Sequence, residues 1–324
     1  MLLIVDGNNL AWAGFFALGK SMGMDTEERK TRAALVGLVQ SVLGLVSRGG
    51  EPPDRPADPE SITGLAVAFD DGRPLRRRAV YPSYQTGRES TASFVDNEPA
   101  VTAAIEQFTG LAATLPARVL RGVNTEADDL AAALTLQSAS AVRIASSDRD
   151  FLQLVNERVS IYSPVKRLVV DTANFSDQTA PRTSSGEAIA FPRERYLDFR
   201  VASGDASDDL PGIPGAGAIT AARLLAQNPL DAYLDDPGVA IRVLGRRNVK
   251  LEGAVRTGEA RRVVERNRAL MDLRAAAELY RDLAPVSKLG AWDESGFARW
   301  LAEHRIPRVE LSGLIRAFAA MVEA

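Results

Sequence analysis

Residues 1–9 read MLLIVDGNN, four apolar residues at 2–5 that stop on Asp6. The pattern recurs at 65–70, LAVAFD, which closes on Asp70. It recurs again at 142–150, VRIASSDRD, where Asp148 follows the run and Asp150 lies two residues on. A short apolar run cut off by polar residues reads as a buried strand, so each run is expected to deliver a carboxylate at its C-terminal end.

Working outward, the segments LLIV, LAVAF, ARVLR, VRIAS, VSIYS and LVV alternate with helix-like stretches around 31–48, 98–113, from 126 and from 150. Alternation of this kind predicts an α/β fold with a mostly parallel central sheet flanked by helices, whose ligands collect at the carboxyl ends of the strands. Asp6, Asp70 and Asp148 are thereby expected on one rim. A Pro-rich loop is predicted at 49–61 and a polar connector at 176–187. From about 190 the chain reads helical, with Gly and Pro as punctuation.

Composition narrows the chemistry. The 324 residues contain no Cys and a single His, His304. Disulfides, thiolate zinc sites, Cys nucleophiles and multi-histidine metal sites are therefore excluded, and a Ser-His-Asp triad is improbable. No apolar stretch is long enough for a signal-peptide core or a membrane span, so a cytoplasmic protein without a membrane partner is expected. The net charge of −3 gives no general affinity for polyanions, but basic residues concentrate at 73–78, 242–250 and 256–268. Reactions must run on carboxylates, Lys, Arg, Tyr or hydroxyls.

The stretch NTEADDLAAAL reads as a helix capped by Thr125, with Glu126, Asp128 and Asp129 in its first turn, where acids complement the helix dipole. If these acids join Asp6, Asp70 and Asp148, mutual repulsion must raise several pKa values unless cations neutralise the cluster. Carboxylates without His or Cys are hard oxygen ligands, which suits Mg²⁺ or Mn²⁺. Farther on, GDASDDLPGIPGAGAITAARLL at 204–225 joins an acidic head, Asp205, Asp208 and Asp209, to a turn built on Gly212, Gly215 and Gly217. Two helices around such a turn present backbone amides that can grip a nucleic-acid phosphate without reading bases.

With VDGNN, VAFDDGRPLRRRAVYPSYQTGR, EADD, SSDRDFLQL and GDASDDLPGIPGAG in order, most of residues 1–226 resembles the 5′ nuclease superfamily of flap endonucleases and 5′→3′ exonucleases. In pattern it is similar to phage stand-alone enzymes and to the 5′ nuclease domain of bacterial DNA polymerase I. The resemblance implies a PIN-like nuclease core at 1–190 with a helical arch at about 82–110. It also implies a helix-hairpin-helix at about 196–226, the region 191–324 packing as one unit. Asp6, Asp70, Glu126 and Asp128 match a first metal cluster; Asp129, Asp148, Asp150, Asp205 and Asp208 match a second. Two or more Mg²⁺ or Mn²⁺ ions would hydrolyse phosphodiesters to 5′ phosphate and 3′ hydroxyl products.

The same resemblance assigns phosphate or base contacts to Arg77, Tyr84, Gln85 and Arg88. DNA-backbone contacts fall to Gly212, Gly215, Gly217, Thr220 and Arg223, and a K⁺ site to Ser207 and the backbone after it. The implied partner is DNA with a 5′ flap or free 5′ end, including RNA–DNA primer junctions, met by a monomeric enzyme of replication and repair. Two positions depart from the family pattern: Gln85 and Ile219 stand where Lys is usual, so Arg223 and the basic 242–268 region would carry more of the duplex affinity. A PIN-like ribonuclease and a non-catalytic DNA-binding scaffold are the alternative readings.

Overall fold

The computed structural model describes residues 1–323. Its main sheet is built from β1 (Leu2–Asp6), β2 (Gly64–Phe69), β3 (Ala117–Arg121), β4 (Val142–Ala145), β5 (Val159–Ser163) and β6 (Leu168–Val170). A two-stranded pair follows, β7 (Gly204–Asp205) with β8 (Leu210–Pro211), and then the edge strand β9 (Ser287–Leu289). The seven-stranded order is β6-β5-β4-β1-β2-β3-β9. β1 pairs in parallel with both β2 and β4, as β2 does with β3 and β4 with β5, whereas β9 runs antiparallel to β3. All six strands read from the sequence are present, and the mostly parallel α/β sheet is as expected.

The chain folds into two compact units. One comprises Met1–Pro74, Ala92–Val169 and the chain from Ala276 onward; the other comprises Leu75–Thr91 and Val170–Ala275. The boundary at 190/191 expected from the sequence lies within the second of these units. Past 275 the chain returns to the sheet: β9 pairs with β3, and the helices Glu294–Glu303 and Leu311–Glu323 place Phe297 and Phe318 in the core of the first unit.

In that first unit β1 is central, and Leu3, Ile4 and Val5 are fully buried, which is why its sequence is apolar on both faces. The chain goes out from β1 through β2 to β3 and returns to β4 on the other side of β1, so the strand order reverses between β1 and β4. Crevices at the carboxyl ends beside such a reversal are where open α/β sheets bind ligands. In register, Asp6 lies level with Ala68 and one residue past the Val5–Ala145 pair. Asp6, Asp70 and the segment 146–148 thus leave the sheet at the same end.

Several local expectations need correction. The stretch after Asp6 forms a helix, Gly7–Met22, which was not foreseen. Asp6 caps it by accepting from the Asn9 amide at 3.0 Å, and a Cβ on Gly7 would lie 2.2 Å from the buried Phe69 ring, so only glycine lets the helix begin so close to β2. The helix expected from 150 is a single 3₁₀ turn, Asp150–Leu154, because Asn156 accepts the amides of Arg158 and Val159 and turns the chain into β5. The connector at 176–187 opens with the helix Phe175–Thr179.

Candidate metal centre and hairpin

The rim of the first unit is held by short polar links between loops. Asp6 is 5 % exposed; its Oδ1 accepts from the Asn9 amide and its Oδ2 from the Ser146 hydroxyl at 2.7 Å. The Ser146 oxygen in turn accepts the Asp148 amide at 3.0 Å, and Asp148 Oδ1 accepts the Asp150 amide at 2.7 Å. Two asparagines complete the framework, Asn9 Oδ1 taking the Ser147 amide and Asn8 Oδ1 the Asp70 amide. Asn8, Asn9 and Ser146 therefore fix where the flanking acids point, a role that reading for acids alone overlooked.

Asp70 reaches across to the next helix. The helix Ala127–Gln137 is capped at Glu126 rather than Thr125, and its first amide, on Ala127, donates to Asp70 Oδ1 at 2.7 Å. Thr125 is instead drawn toward Asp71, whose amide donates to the Thr125 carbonyl, and its hydroxyl accepts from the Tyr280 hydroxyl. A strand-terminal carboxylate has taken over the capping role that sequence logic gave to Thr125. Asp128 and Asp129 occupy the first turn, with Asp129 only 2 % exposed.

These acids act on one another. Burial pushes the Asp6 carboxyl up to about 7, and the charges of Asp70 and Asp148 add to the rise against hydrogen bonds from Asn9 and Ser146 that oppose it. Asp128 is raised well above the usual carboxylate range, first by burial and then by Asp148, Asp6, Asp70 and Glu126. Asp6, Asp70, Glu126, Asp128 and Asp148 are thus brought together. Such a set is strained as five anions and is relieved by protons or by divalent cations; its donors are all oxygen, which fits a hard metal ion.

In the second unit, the helix Tyr196–Ser203 ends at Gly204, and β7 and β8 pair around the 3₁₀ turn Ala206–Asp208. Asp205 accepts from Ser207 through both its amide and hydroxyl, and it is ion-paired with Arg200, which is itself 8 % exposed. Burial alone would raise the Asp205 carboxyl, but Arg200 and Ser207 hold it below the ordinary range. Asp208 is 5 % exposed; its Oδ1 accepts from Arg88 at 2.7 Å and from the Gln85 side chain at 3.0 Å. The Gly87 amide donates to Asp209 at 2.6 Å. The short helix Thr86–Ser90, preceded by Gln85 in a left-handed conformation, is so latched to the acidic turn.

Arg77 and Tyr84 are buried in this unit. Arg77 donates through Nε to the Leu270 carbonyl at 2.8 Å, and its guanidinium lies 5.8 Å from the centre of the Tyr84 ring. Gly212 and Gly215 serve internal packing: a Cβ on Gly212 would stand 2.4 Å from the Ala202 carbonyl oxygen, and Gly215 has φ +83°. Gly217 differs. It precedes the second hairpin helix, Ala218–Gln227, with open space where a Cβ would go, and Thr220 and the exposed Arg223 follow on that helix.

Among the described residues no helix is long and apolar enough to cross a membrane. A model of the 5′-3′ exonuclease N-terminal resolvase-like domain matches residues 1–180. The chain is 32 % identical to DNA polymerase I of Mycobacterium tuberculosis over 275 residues, which are 84 % of this chain and 27 % of that protein. It is 31 % identical to the thermostable DNA polymerase I of Thermus filiformis over 229 residues, 70 % of this chain and 24 % of that one. The chain thus spans about a quarter of the length of these relatives. The crystal structure of T5 D15 protein co-crystallised with metal ions superposes with a TM-score of 0.59 at 16 % identity, covering 99 % of this chain and 98 % of that one. A bacteriophage T5 D15 flap endonuclease variant in a pseudo-enzyme-product complex with DNA and metal ions matches equally well.

Proposed function

The chain belongs to the 5′-3′ exonuclease family of the 5′ nuclease superfamily, and on that premise we propose that it is a metal-dependent, structure-selective 5′ nuclease. Its substrates would be flap, nicked or primer-junction DNA, cut to leave 5′ phosphate and 3′ hydroxyl ends. The observation that carries this reading is the meeting of Asp6, Asp70, Glu126, Asp128 and Asp148 at the carboxyl end of the sheet, with Asp6 and Asp128 raised first by burial and then by the neighbouring acids.

Asp6, Asp70, Glu126, Asp128 and Asp148 would hold Mg²⁺ or Mn²⁺; Asp129, Asp150, Asp205 and Asp208 are the other proposed ligands. Bound divalent cations would supply Lewis acidity and neutralise charge at the scissile phosphate. The chain's own groups do the rest. Ser146 and Asn9 aim the two oxygens of Asp6, the Ala127 amide aims Asp70, and the Ser146–Asp148 link fixes the loop after β4. Arg88, 43 % exposed in its side chain, and Gln85 would meet the phosphate from the short helix beside Asp208. The glycine turn before Ala218–Gln227 would hold the backbone of the duplex, with a K⁺ ion at Ser207 and the following carbonyls. A minimal PIN-like ribonuclease has no need of such a duplex grip, and this favours DNA.

The test is cleavage of a labelled 5′-flap duplex in Mg²⁺ and in Mn²⁺, with single-stranded RNA beside it. Cutting near the flap junction that disappears in chelator and in Asp148→Ala is expected. Failure of the unmodified chain to cut in either metal would favour a binding scaffold, and cutting of RNA alone would favour the ribonuclease.

A further inference from the structure

From Leu210 to Ala222 the hairpin reads LPGIPGAGAITAA, without one basic residue, and the first cation is Arg223 in the second turn of the helix Ala218–Gln227. Backbone amides alone give a polyanion little long-range attraction, because duplex affinity rests largely on cations that displace counterions from phosphates. The basic region 242–268 was the expected source of that charge. In the structure most of it is engaged within the second unit. Arg242 pairs with Asp236, Arg247 and Arg256 with Glu252, Arg261 with Asp235, and Arg268 with Asp198 and Asp231. Arg262 donates to the Thr257 carbonyl, and Arg266 donates to the Pro211 carbonyl.

Two cations of the region are different. Arg246 and Lys250 are exposed, and among the described residues no hydrogen bond or ion pair holds either one. Of the two, it is Lys250 that stands at the glycine turn. Asn248 caps the helix Val249–Arg256 by accepting the Leu251 amide, and its Nδ2 donates to the Gly215 carbonyl at 2.8 Å. A Cβ placed on Gly215 would lie 2.8 Å from the Leu251 amide nitrogen and 3.1 Å from the Lys250 Cβ. The Lys250 side chain therefore leaves the backbone beside the left-handed Gly215, from a helix locked to the turn by Asn248.

We propose that Lys250 is the cation with which the glycine turn holds a phosphate of duplex DNA, supplied from a separate helix rather than from the hairpin's own sequence. The identity of the ligand as duplex DNA rests on the nuclease reading above. A compact, flexible ammonium suits a contact that follows any sequence, since phosphate contacts position the duplex and carry no base information.

The experiment is fluorescence anisotropy of a labelled 5′-flap duplex in Ca²⁺ across a KCl series, using the full chain, Lys250→Ala, Lys250→Arg and a charge-matched control, Lys166→Ala, in the turn between β5 and β6. Lys250→Ala should weaken binding by about 5–10-fold near 0.1 M salt and lower the slope of log affinity against log salt by about 1. Lys250→Arg should restore both, and Lys166→Ala should match the unmodified chain. Lys250→Ala with unchanged affinity and slope, while the unmodified chain binds and cuts the flap, overturns this inference alone. An unmodified chain that binds no duplex sinks the nuclease reading, and the inference with it.

Discussion

The Ser146 hydroxyl donates to Asp6 Oδ2 at 2.7 Å while its oxygen accepts the Asp148 amide, so one buried side chain joins the acid at the end of β1 to the loop after β4. Removing it leaves a buried carboxylate oxygen and an amide to find other partners. Groups that orient metal ligands in this way typically govern metal affinity by about 10–100-fold. Ser146→Ala is expected to weaken Mn²⁺ binding by at least about 10-fold in isothermal titration calorimetry, with Ser146→Thr recovering part of the loss.

The raised carboxyl of Asp6 gives a pH dependence of definite sign. Between its ordinary value of 3.8 and about 7 the folded chain retains a proton that the unfolded chain has released. Stability without metal must then fall as pH rises through that window, by an amount on the order of a few kcal/mol. Melting in chelator should show a lower Tm at pH 7.5 than at pH 5, a slope that Asp6→Asn flattens. Excess Mg²⁺ should reverse the trend, because cation binding favours the ionised acids. A Tm in chelator that rises over this range would contradict the assignment.

Gln85 supplies a neutral hydrogen bond to Asp208 where a charged one would fit, since Arg88 already reaches the same oxygen. Under the nuclease reading, Gln85→Lys adds a cation where negative charge develops and should raise the single-turnover cleavage rate by about 10-fold. Arg88→Ala should lower that rate by a similar factor or more. It should also lower stability, by roughly 1–3 kcal/mol, because Asp208 is buried and loses Arg88 as a charged partner while keeping the Gln85 hydrogen bond.

Two glycines should respond in opposite ways. Gly7→Ala drives a methyl into the buried Phe69 ring and should destabilise the fold by roughly 1–3 kcal/mol, read as a drop in Tm. Gly217→Ala meets open space at a negative φ, so its Tm should move by less than about 0.5 kcal/mol equivalent. Its duplex affinity should nonetheless fall if a phosphate approaches the backbone there.

The strand-terminal acids were legible because a run buried on both faces must be apolar and its abrupt end is visible: Asp6, Asp70 and Asp148 needed no tertiary information. Glu126 as the cap was not legible, since the amide that should have been met by Thr125 is met by Asp70, 57 residues away. The helix Gly7–Met22 was hidden behind Gly7, Asn8 and Asn9, poor helix formers kept there by the Phe69 contact and by the amides of Asp70 and Ser147. β9 was lost in a helical stretch because three residues become a strand only through pairing with β3. Lys250 read as one more charge in a basic run; its distinction appears only when most of its neighbours are seen to be paired and its backbone is seen to lie against Gly215.

The central claim is that the acids at the end of β1, β2 and β4 form one cation site. Anomalous diffraction from crystals soaked in Mn²⁺ tests it directly. The account predicts at least one strong anomalous peak coordinated by Asp6, Asp70, Glu126 or Asp128 and reduced in crystals of Asp128→Asn. A soaked crystal with no peak among these carboxylates, while the chain still cleaves flap DNA in Mn²⁺, would contradict it.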